Sequence, residues 1–483
     1  MSRFLCVVAA ALVLAACRDA PARGTSASVE VRQRPSVLLV TLDTTRADAV
    51  GPEAVGVQTP AFDAIAARGL RFRQAYATVP ETLPSHTSIM TGLYPAGHGV
   101  HENGRTLAAT VPLLAEHLHQ AGYRTSAFVS SFVLARQFGL ARGFDLYDDP
   151  FGGALQPDAD GAQVSERSAE ETTRAAMAEL DRAAAGPRFI WVHYNDPHAP
   201  YAPPEPFKTR YATHPYLGEV AFMDQQLGRL VQAFDRLPGD RVVVVVADHG
   251  EGLGEHGEAH HGTLIYQSTM HVPLVIAGPG VAPGTSDTPV STRRVFFTIL
   301  DWAGLGSEHS LRSTHSERTA DSGSDVVLGE SMKPYLEYGW QPQVMAVAGT
   351  FKAIEAGKVE TYDLAADPRE THDLGGGVSF PPGLRKAMDD YPVPTPSAAR
   401  VPANLDEAAR RRLASLGYVS ASAAPVVRKD APRPADMTGL LETIEKASGL
   451  FTAGLYAKAI PLLEQIRTKD PYNLDATLSL ATA

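Results

Sequence analysis

Val242-Val243-Val244-Val245-Val246-Ala247-Asp248-His249-Gly250 joins a short run of β-branched residues to an acid and a histidine. A run of this kind predicts a buried strand. Four more runs share its character, at 37–42, 126–129, 189–192 and 272–276. Between them, segments 59–68, 111–121, 168–184 and 219–234 carry helical spacing. Apolar strands alternating with helices predict an α/β fold, a mostly parallel sheet sandwiched by helices. In such sheets ligands gather at the carboxyl ends of the strands.

Those ends hold the chemistry. Asp43 closes the first run, and Asp196 and His198 follow the 189–192 run. Asp248 and His249 close the Val242 run, and the histidine-rich loop Glu255-His256-Gly257-Glu258-Ala259-His260-His261-Gly262 comes next. One acid at a strand end is an ordinary turn residue. Several together, with imidazoles, suit a divalent metal such as zinc, manganese or calcium.

A second stretch carries a candidate nucleophile: Glu81-Thr82-Leu83-Pro84-Ser85-His86-Thr87-Ser88-Ile89-Met90-Thr91-Gly92. Pro84 and Ser85 predict a helix start. A hydroxyl at a helix N-terminus meets unpaired N–H groups and the positive end of the dipole, which favours an anion. A metal touching the Thr82 oxygen would depress its pKa further.

Composition bounds the rest. The 483 residues are 44% hydrophobic and 20% charged, ordinary for a globular chain. The net charge of −11 argues against nucleic acid as a partner. The two cysteines, Cys6 and Cys17, both precede residue 18, so the body has neither a disulfide nor a cysteine metal site. Arg3 and the apolar run 4–14 predict an export signal too short to span a bilayer. Leu14-Ala15-Ala16-Cys17 resembles the lipobox of bacterial lipoproteins, which implies cleavage before Cys17 and a lipid anchor in the cell envelope. Residues 1–17 are then a signal peptide and 18–34 a tether.

From residue 35 to about 374 the chain resembles a sulfatase-type member of the alkaline phosphatase superfamily. The motifs Leu42-Asp43-Thr44-Thr45-Arg46, Thr82-x-Pro84-Ser85, Thr91-Gly92-x-x-Pro95-x-x-His98-Gly99, Asp196-Pro197-His198, Asp248-His249-Gly250 and Gly254-Glu255-His256-Gly257 occur in that family's order. The resemblance implies a metal held by Asp43, Asp248 and His249, with Thr82 reaching it as nucleophile. It places Asn103, His198 and His261 against the transferred oxyanion or the leaving group. It also implies an alkaline phosphatase-like core at 35–305, and a small antiparallel subdomain at 326–395 with strands at 344–348, 351–355 and 359–362. The run 326–329 is expected to return to the large sheet, and 306–325 is a loop or insertion.

The departures matter equally. Sulfatases oxidise a Cys or Ser at the position of Thr82 to formylglycine, and threonine cannot follow that route. The paired acids near the N-terminus are Asp43-Thr44 here. The arginine of the signature is His86, a Lys-x-His element is missing, and His261 replaces a lysine. Two arrangements remain open. In one, a single metal works with His198 and His261 as hydrogen-bond donors or general acid. In the other, Asp196, His198 and His261 hold a second metal.

Beyond a linker at 396–436, residues 437–483 resemble a tetratricopeptide-like helical segment with its turn at Gly454 and Ile460, a candidate docking element for a protein partner. The leading expectation is a metal-dependent hydrolase of phosphate mono- or diesters or phosphonates, acting on a small-molecule, glycan or lipid ester. The alternatives are a sulfuric ester hydrolase without formylglycine, a phospho-headgroup transferase, and a tethered pseudoenzyme with a partner-binding tail.

Overall fold

The computed structural model describes residues 34–151, 166–183, 185–306, 309–313, 326–375, 381–394 and 428–483. The expected signal peptide, nearly all of the tether, most of the 306–325 loop and the linker up to 427 lie outside them.

The large sheet has nine strands: Ser36–Leu42 (β1), Leu70–Tyr76 (β2), Arg124–Phe128 (β3), Leu146–Asp148 (β4), Arg188–Tyr194 (β5), Arg241–Ala247 (β6), His271–Ala277 (β7), Gly284–Ser286 (β8) and Val290–Ser291 (β9). Their order is β4-β3-β5-β1-β6-β7-β2-β8, with β9 beside β2. All pairs are parallel except those of β7, which runs antiparallel to both β6 and β2. β2, which carries Arg71, Arg73 and Gln74 among its apolar residues, has no counterpart in the sequence expectation. β1 is buried along its whole length and β6 nearly so. Each buried valine or leucine there contributes about 1.5–3 kcal/mol relative to exposure.

Register places the site. Leu42 pairs with Tyr194 on one side and Ala247 on the other, so β5, β1 and β6 end level. Asp43 N–H then donates to the Tyr194 carbonyl at 2.9 Å and Asp248 N–H to the Leu42 carbonyl at 3.1 Å. The two acids leave adjacent strands side by side.

A second sheet of four strands, Val327–Ser331 (β10), Gln343–Ala348 (β11), Phe351–Glu355 (β12) and Val359–Asp363 (β13), is antiparallel throughout. This corrects the expectation for 326–329: β10 pairs with β11 in the small sheet and reaches the large one through Glu330 N–H on the Thr78 carbonyl, 2.9 Å. A short run cannot announce which of two sheets it joins.

Three helices, Leu441–Thr452, Tyr456–Lys469 and Leu474–Thr482, follow. They pack on the catalytic body. Leu440, Ile444, Ala459, Leu463 and Ile466 bury against Tyr338 and Trp340 in one apolar cluster. Trp340 Nε1–H donates to Asp470 Oδ2 at 2.7 Å.

Candidate active site

The helix that carries Thr82 spans Thr82–Thr91 and begins two residues before the expected start. Ser85 N–H reaches the Glu81 carbonyl at 3.1 Å, which closes the first turn. Leu83 N–H, free of a helical partner at this end, donates to Asn103 Oδ1 at 2.7 Å. Ser85 Oγ donates to the Asp248 carbonyl at 2.6 Å and fixes the helix to the end of β6. The Thr91-Gly92 pair ends it. Gly92 has φ +72°, and a Cβ there would come within 2.7 Å of Phe296, so no larger residue fits.

Thr82 Oγ1 lies 3.3 Å from His249 Nε2, and Thr82 is only 2% exposed. Asp43, Asp248 and His249 each bring one ligand atom to within 4.8 Å of the others. His249 Nδ1 lies 2.9 Å from the Gly250 carbonyl and so carries its proton. The lone pair on Nε2 then faces Asp43 Oδ1 and Asp248 Oδ2, each at 3.6 Å. Both oxygens of Asp43 and Oδ2 of Asp248 are buried with no hydrogen-bond partner. A lone pair turned toward two bare carboxylates is an unfavourable arrangement that a divalent cation makes favourable, so these residues fit a metal.

Burial and neighbouring charges perturb all three groups. Burial raises the Asp43 pKa, but His193, His249 and His198 outweigh it and hold the carboxyl far below its usual range. Burial and the Asp43 charge push Asp248 well up. Burial and His261 lower His249 to about 3, the neutral form a metal requires.

His198 and His261 face each other across the mouth, ring centroids 5.4 Å apart, and His261 lies 4.4 Å from His249 by the same measure. His198 Nδ1 is held by the Ala199 carbonyl at 2.8 Å, with Glu166 at 3.4 Å. Burial lowers the His198 pKa, but Glu166, Asp43 and Glu251 outweigh it and raise it to about 9. His261 Nδ1 donates to Glu251 Oε1 at 3.1 Å, and Tyr201 OH holds Oε2 at 2.8 Å. Asn103 Nδ2 is buried without a partner, free to donate to a ligand.

Asp196 does not join His198 and His261 in a metal group among the described residues. Its Oδ2 accepts Ala169 N–H at 2.7 Å, at the start of the helix Ala169–Leu180. The carboxylate serves a helix end, so the second-metal arrangement lacks its acid.

Several site residues escape the sequence reading. Glu251 and Glu166 orient the two mouth histidines, and only the spacing Asp248-x-x-Glu251 hints at the first. His193 sits within β5, where a histidine in an apolar strand opposite Thr41 is a signal in hindsight. Lys333 brings a positive charge beside Gly262 and Glu81, next to the start of the Thr82 helix. A Cβ on Gly262 would lie 3.6 Å from Lys333 Nζ and 3.5 Å from Glu81 Cγ. Burial raises Glu81 to about 8 despite that lysine.

The sulfatase family model matches residues 35–305. The chain belongs to the sulfatase family. Among its relatives, a choline-sulfatase of Rhizobium meliloti is 24% identical over 424 residues, covering 71% of this chain and 82% of that protein. A Delta 4,5-hexuronate-2-O-sulfatase of Bacteroides thetaiotaomicron is 22% identical over 451 residues, covering 76% and 90%. The fold is similar to the phosphonate monoester hydrolase of Agrobacterium radiobacter, TM-score 0.59 at 21% identity, covering 71% of this chain and 91% of that one. The phosphonate monoester hydrolase of Silicibacter pomeroyi also has TM-score 0.59 at 21% identity, covering 74% and 94%. This sulfatase-family chain is therefore a hydrolase by family and has the alkaline phosphatase-like fold.

Proposed function

We propose that this chain is a metal-dependent hydrolase of phosphate esters or phosphonates with Thr82 as nucleophile. The observation that carries the reading is the buried Thr82 hydroxyl, 3.3 Å from His249 Nε2 and beside the Asp43–Asp248–His249 group. A threonine cannot supply formylglycine, yet it can accept a phosphoryl group and release it.

The residues divide the work. His261, with Nδ1–H committed to Glu251, offers its Nε2 lone pair to the Thr82 proton. Thr82 Oγ1 attacks phosphorus while the bond to the leaving oxygen breaks. His198 gives that oxygen a proton, as its raised pKa suits. Water then attacks phosphorus, giving a proton back to His198, while His261 returns its proton to the departing Thr82 oxygen. Asn103 Nδ2 and the N-terminus of the Thr82 helix steady the negative oxygens. Lewis-acid polarisation of the transferred group is the chemistry that a zinc or manganese ion between Asp43, Asp248 and His249 would supply.

Sulfate ester hydrolysis without formylglycine is the second reading, favoured by the relatives named as sulfatases. The lipobox-like Leu14–Cys17 stretch favours an exported, lipid-anchored protein acting on envelope or extracellular esters.

The deciding experiment runs aryl phosphate, bis-aryl phosphate, aryl phosphonate and aryl sulfate against wild type and Thr82→Ala, with mass spectrometry for phosphate on Thr82 after quenching. Phosphorus esters should turn over fastest, with Thr82 modified. Aryl sulfate as best substrate with Thr82→Ala fully active would sink the reading.

A further inference from the structure

His261 reaches the mouth of the site on a loop that closes on itself as a narrow backbone ladder. Gly252 N–H donates to the His260 carbonyl at 2.7 Å, Leu253 N–H to that of Ala259 at 3.1 Å and Gly254 N–H to that of Glu258 at 2.8 Å. A displacement of the tip at 255–257 is therefore passed along the ladder toward His261. The small sheet fixes the loop's exit, where Ser331 Oγ donates to the Gly262 carbonyl at 3.0 Å. A more distant part of the chain meets the tip.

That part is the segment 431–440, which leads into the helical tail. Gly257 has φ +82°, and a Cβ on it would lie 2.8 Å from Thr438 Oγ1, so loop and segment meet at a distance that glycine allows. The neighbouring His256 stacks on Tyr266, ring centroids 3.8 Å apart and planes 12° apart. Its Nε2 lies 3.0 Å from the Arg369 carbonyl. Tyr266 OH donates to Glu360 Oε2 at 2.8 Å, and Tyr362 OH gives to the same oxygen at 3.0 Å. The other oxygen of Glu360 takes Arg433 Nη2. A chain of contacts thus runs from Arg433 through Glu360 and Tyr266 to His256. The Arg433 and Glu360 side chains are largely buried, so salt screens their attraction little.

The segment has its own anchors. Gln341 N–H donates to the Pro432 carbonyl at 2.9 Å, and Gln341 Nε2 to the Ala431 carbonyl at 3.1 Å. Ala435 packs on the large apolar cluster that includes β1 and β6, and Leu440 is buried in the cluster of the tail. The segment is therefore a brace held at both ends, with the loop's tip against it.

We infer that Arg433 and Thr438 are positioning residues for the His261 loop, which makes the segment before the helical tail a working part of the active site. The inference rests on the role of His261 proposed above. Both residues act through the tip of the loop. A catalytic group misplaced by about 1 Å loses about 100-fold in rate.

The test uses full-length protein carrying Arg433→Ala, Arg433→Lys, Gly257→Ala, Thr438→Gly, or the last two together. Hydrogen exchange of residues 252–262 reads the loop, with β1 and β6 as the reference for global folding. Aryl phosphate hydrolysis reads kcat and KM separately. Arg433→Ala should quicken exchange in the loop and leave β1 and β6 unchanged. It should lower kcat about 10–100-fold while KM moves less than about 3-fold. Arg433→Lys keeps a cation for Glu360 and should recover part of both losses. Gly257→Ala is strained by its φ in any background, so the comparison that counts is its effect with and without Thr438→Gly. The loss of kcat should be smaller in the double variant. An equal loss in both backgrounds, or unchanged loop exchange after Arg433→Ala, would overturn the inference. Quickened loop exchange at full kcat would overturn it too, by showing that the brace is structural alone. If Arg433→Ala quickens exchange in β1 and β6 as well, the Gly257 and Thr438 pair decides. Wild type that turns over no phosphorus ester would sink the proposed function instead, a result visible before any variant is made.

Discussion

Thr82 Oγ1 sits 3.3 Å from His249 Nε2, while His249 anchors its other nitrogen on the Gly250 carbonyl at 2.9 Å. The proposed nucleophile and a metal-group imidazole are thus held by different elements, one a helix start and the other a strand end. Thr82→Ser keeps the hydroxyl and should retain measurable turnover of aryl phosphate. Thr82→Ala should lose about 10⁴-fold or more, the scale expected for a deleted nucleophile. Steady-state release of the aryl alcohol checks both. Equal loss in both variants would show that the β-methyl group, and not the oxygen, matters.

Asp248 offers a prediction with two opposite signs. Burial and the Asp43 charge raise its pKa, so in the metal-free protein it destabilises the fold progressively as pH rises above the normal carboxylate range. Asp248→Asn removes that charge at constant shape. The metal-free melting temperature at pH 7 should rise, while metal affinity falls by at least about 100-fold, more than losing an outer partner costs. Thermal melts with and without metal check the pair of effects. A drop in the metal-free melting temperature would refute the argument.

His198 carries a pH dependence. Its folded pKa, about 9, lies above the unfolded histidine value, so the metal-free protein gains full stability from it below about pH 6.5. That contribution fades as pH rises through about 9. The carboxylates that raise it include Asp43, so a cation bound there should lower the His198 pKa. Histidine-selective NMR titration of the stripped and loaded protein checks this. A higher pKa on loading would contradict it.

Much of this arrangement was legible before the fold. The run 242–246 ending in Asp248-His249 gave a buried strand and two ligand candidates, because a covered strand must be apolar and its end is where polar groups emerge. Thr82 was legible through Pro84, Ser85 and Gly92, residues whose backbone limits mark a helix start and stop. Asp196 misled because an acid at a strand end serves a helix N-terminus as readily as a metal, and only the position of Ala169 distinguishes them. His193, Glu251 and Lys333 were hidden because their roles depend on register and on contacts between distant segments. Lys333, for example, meets Gly262 across 71 residues of chain. The expected lipid anchor falls outside the described residues.

The helical tail supplies the last prediction. Trp340 is 1% exposed, sits in the apolar cluster with Leu440 and Leu463, and gives its only donor to Asp470, which also accepts from Asn473 at 3.1 Å. Trp340→Phe keeps most of the apolar contact and deletes the hydrogen bond, leaving Asp470 Oδ2 with Asn473 as its remaining donor, at a cost of about 1–3 kcal/mol for the lost charged hydrogen bond. That cost should fall on the docking of 441–482, because the strands bearing Asp43 and Asp248 belong to a separate apolar cluster. Hydrogen exchange should therefore quicken in the three helices and stay unchanged in β1 and β6. Trp340→Ala removes the ring as well, at about 3–5 kcal/mol, and should release the tail further. Exchange that quickens equally in β1 would show instead that tail and core unfold as one unit.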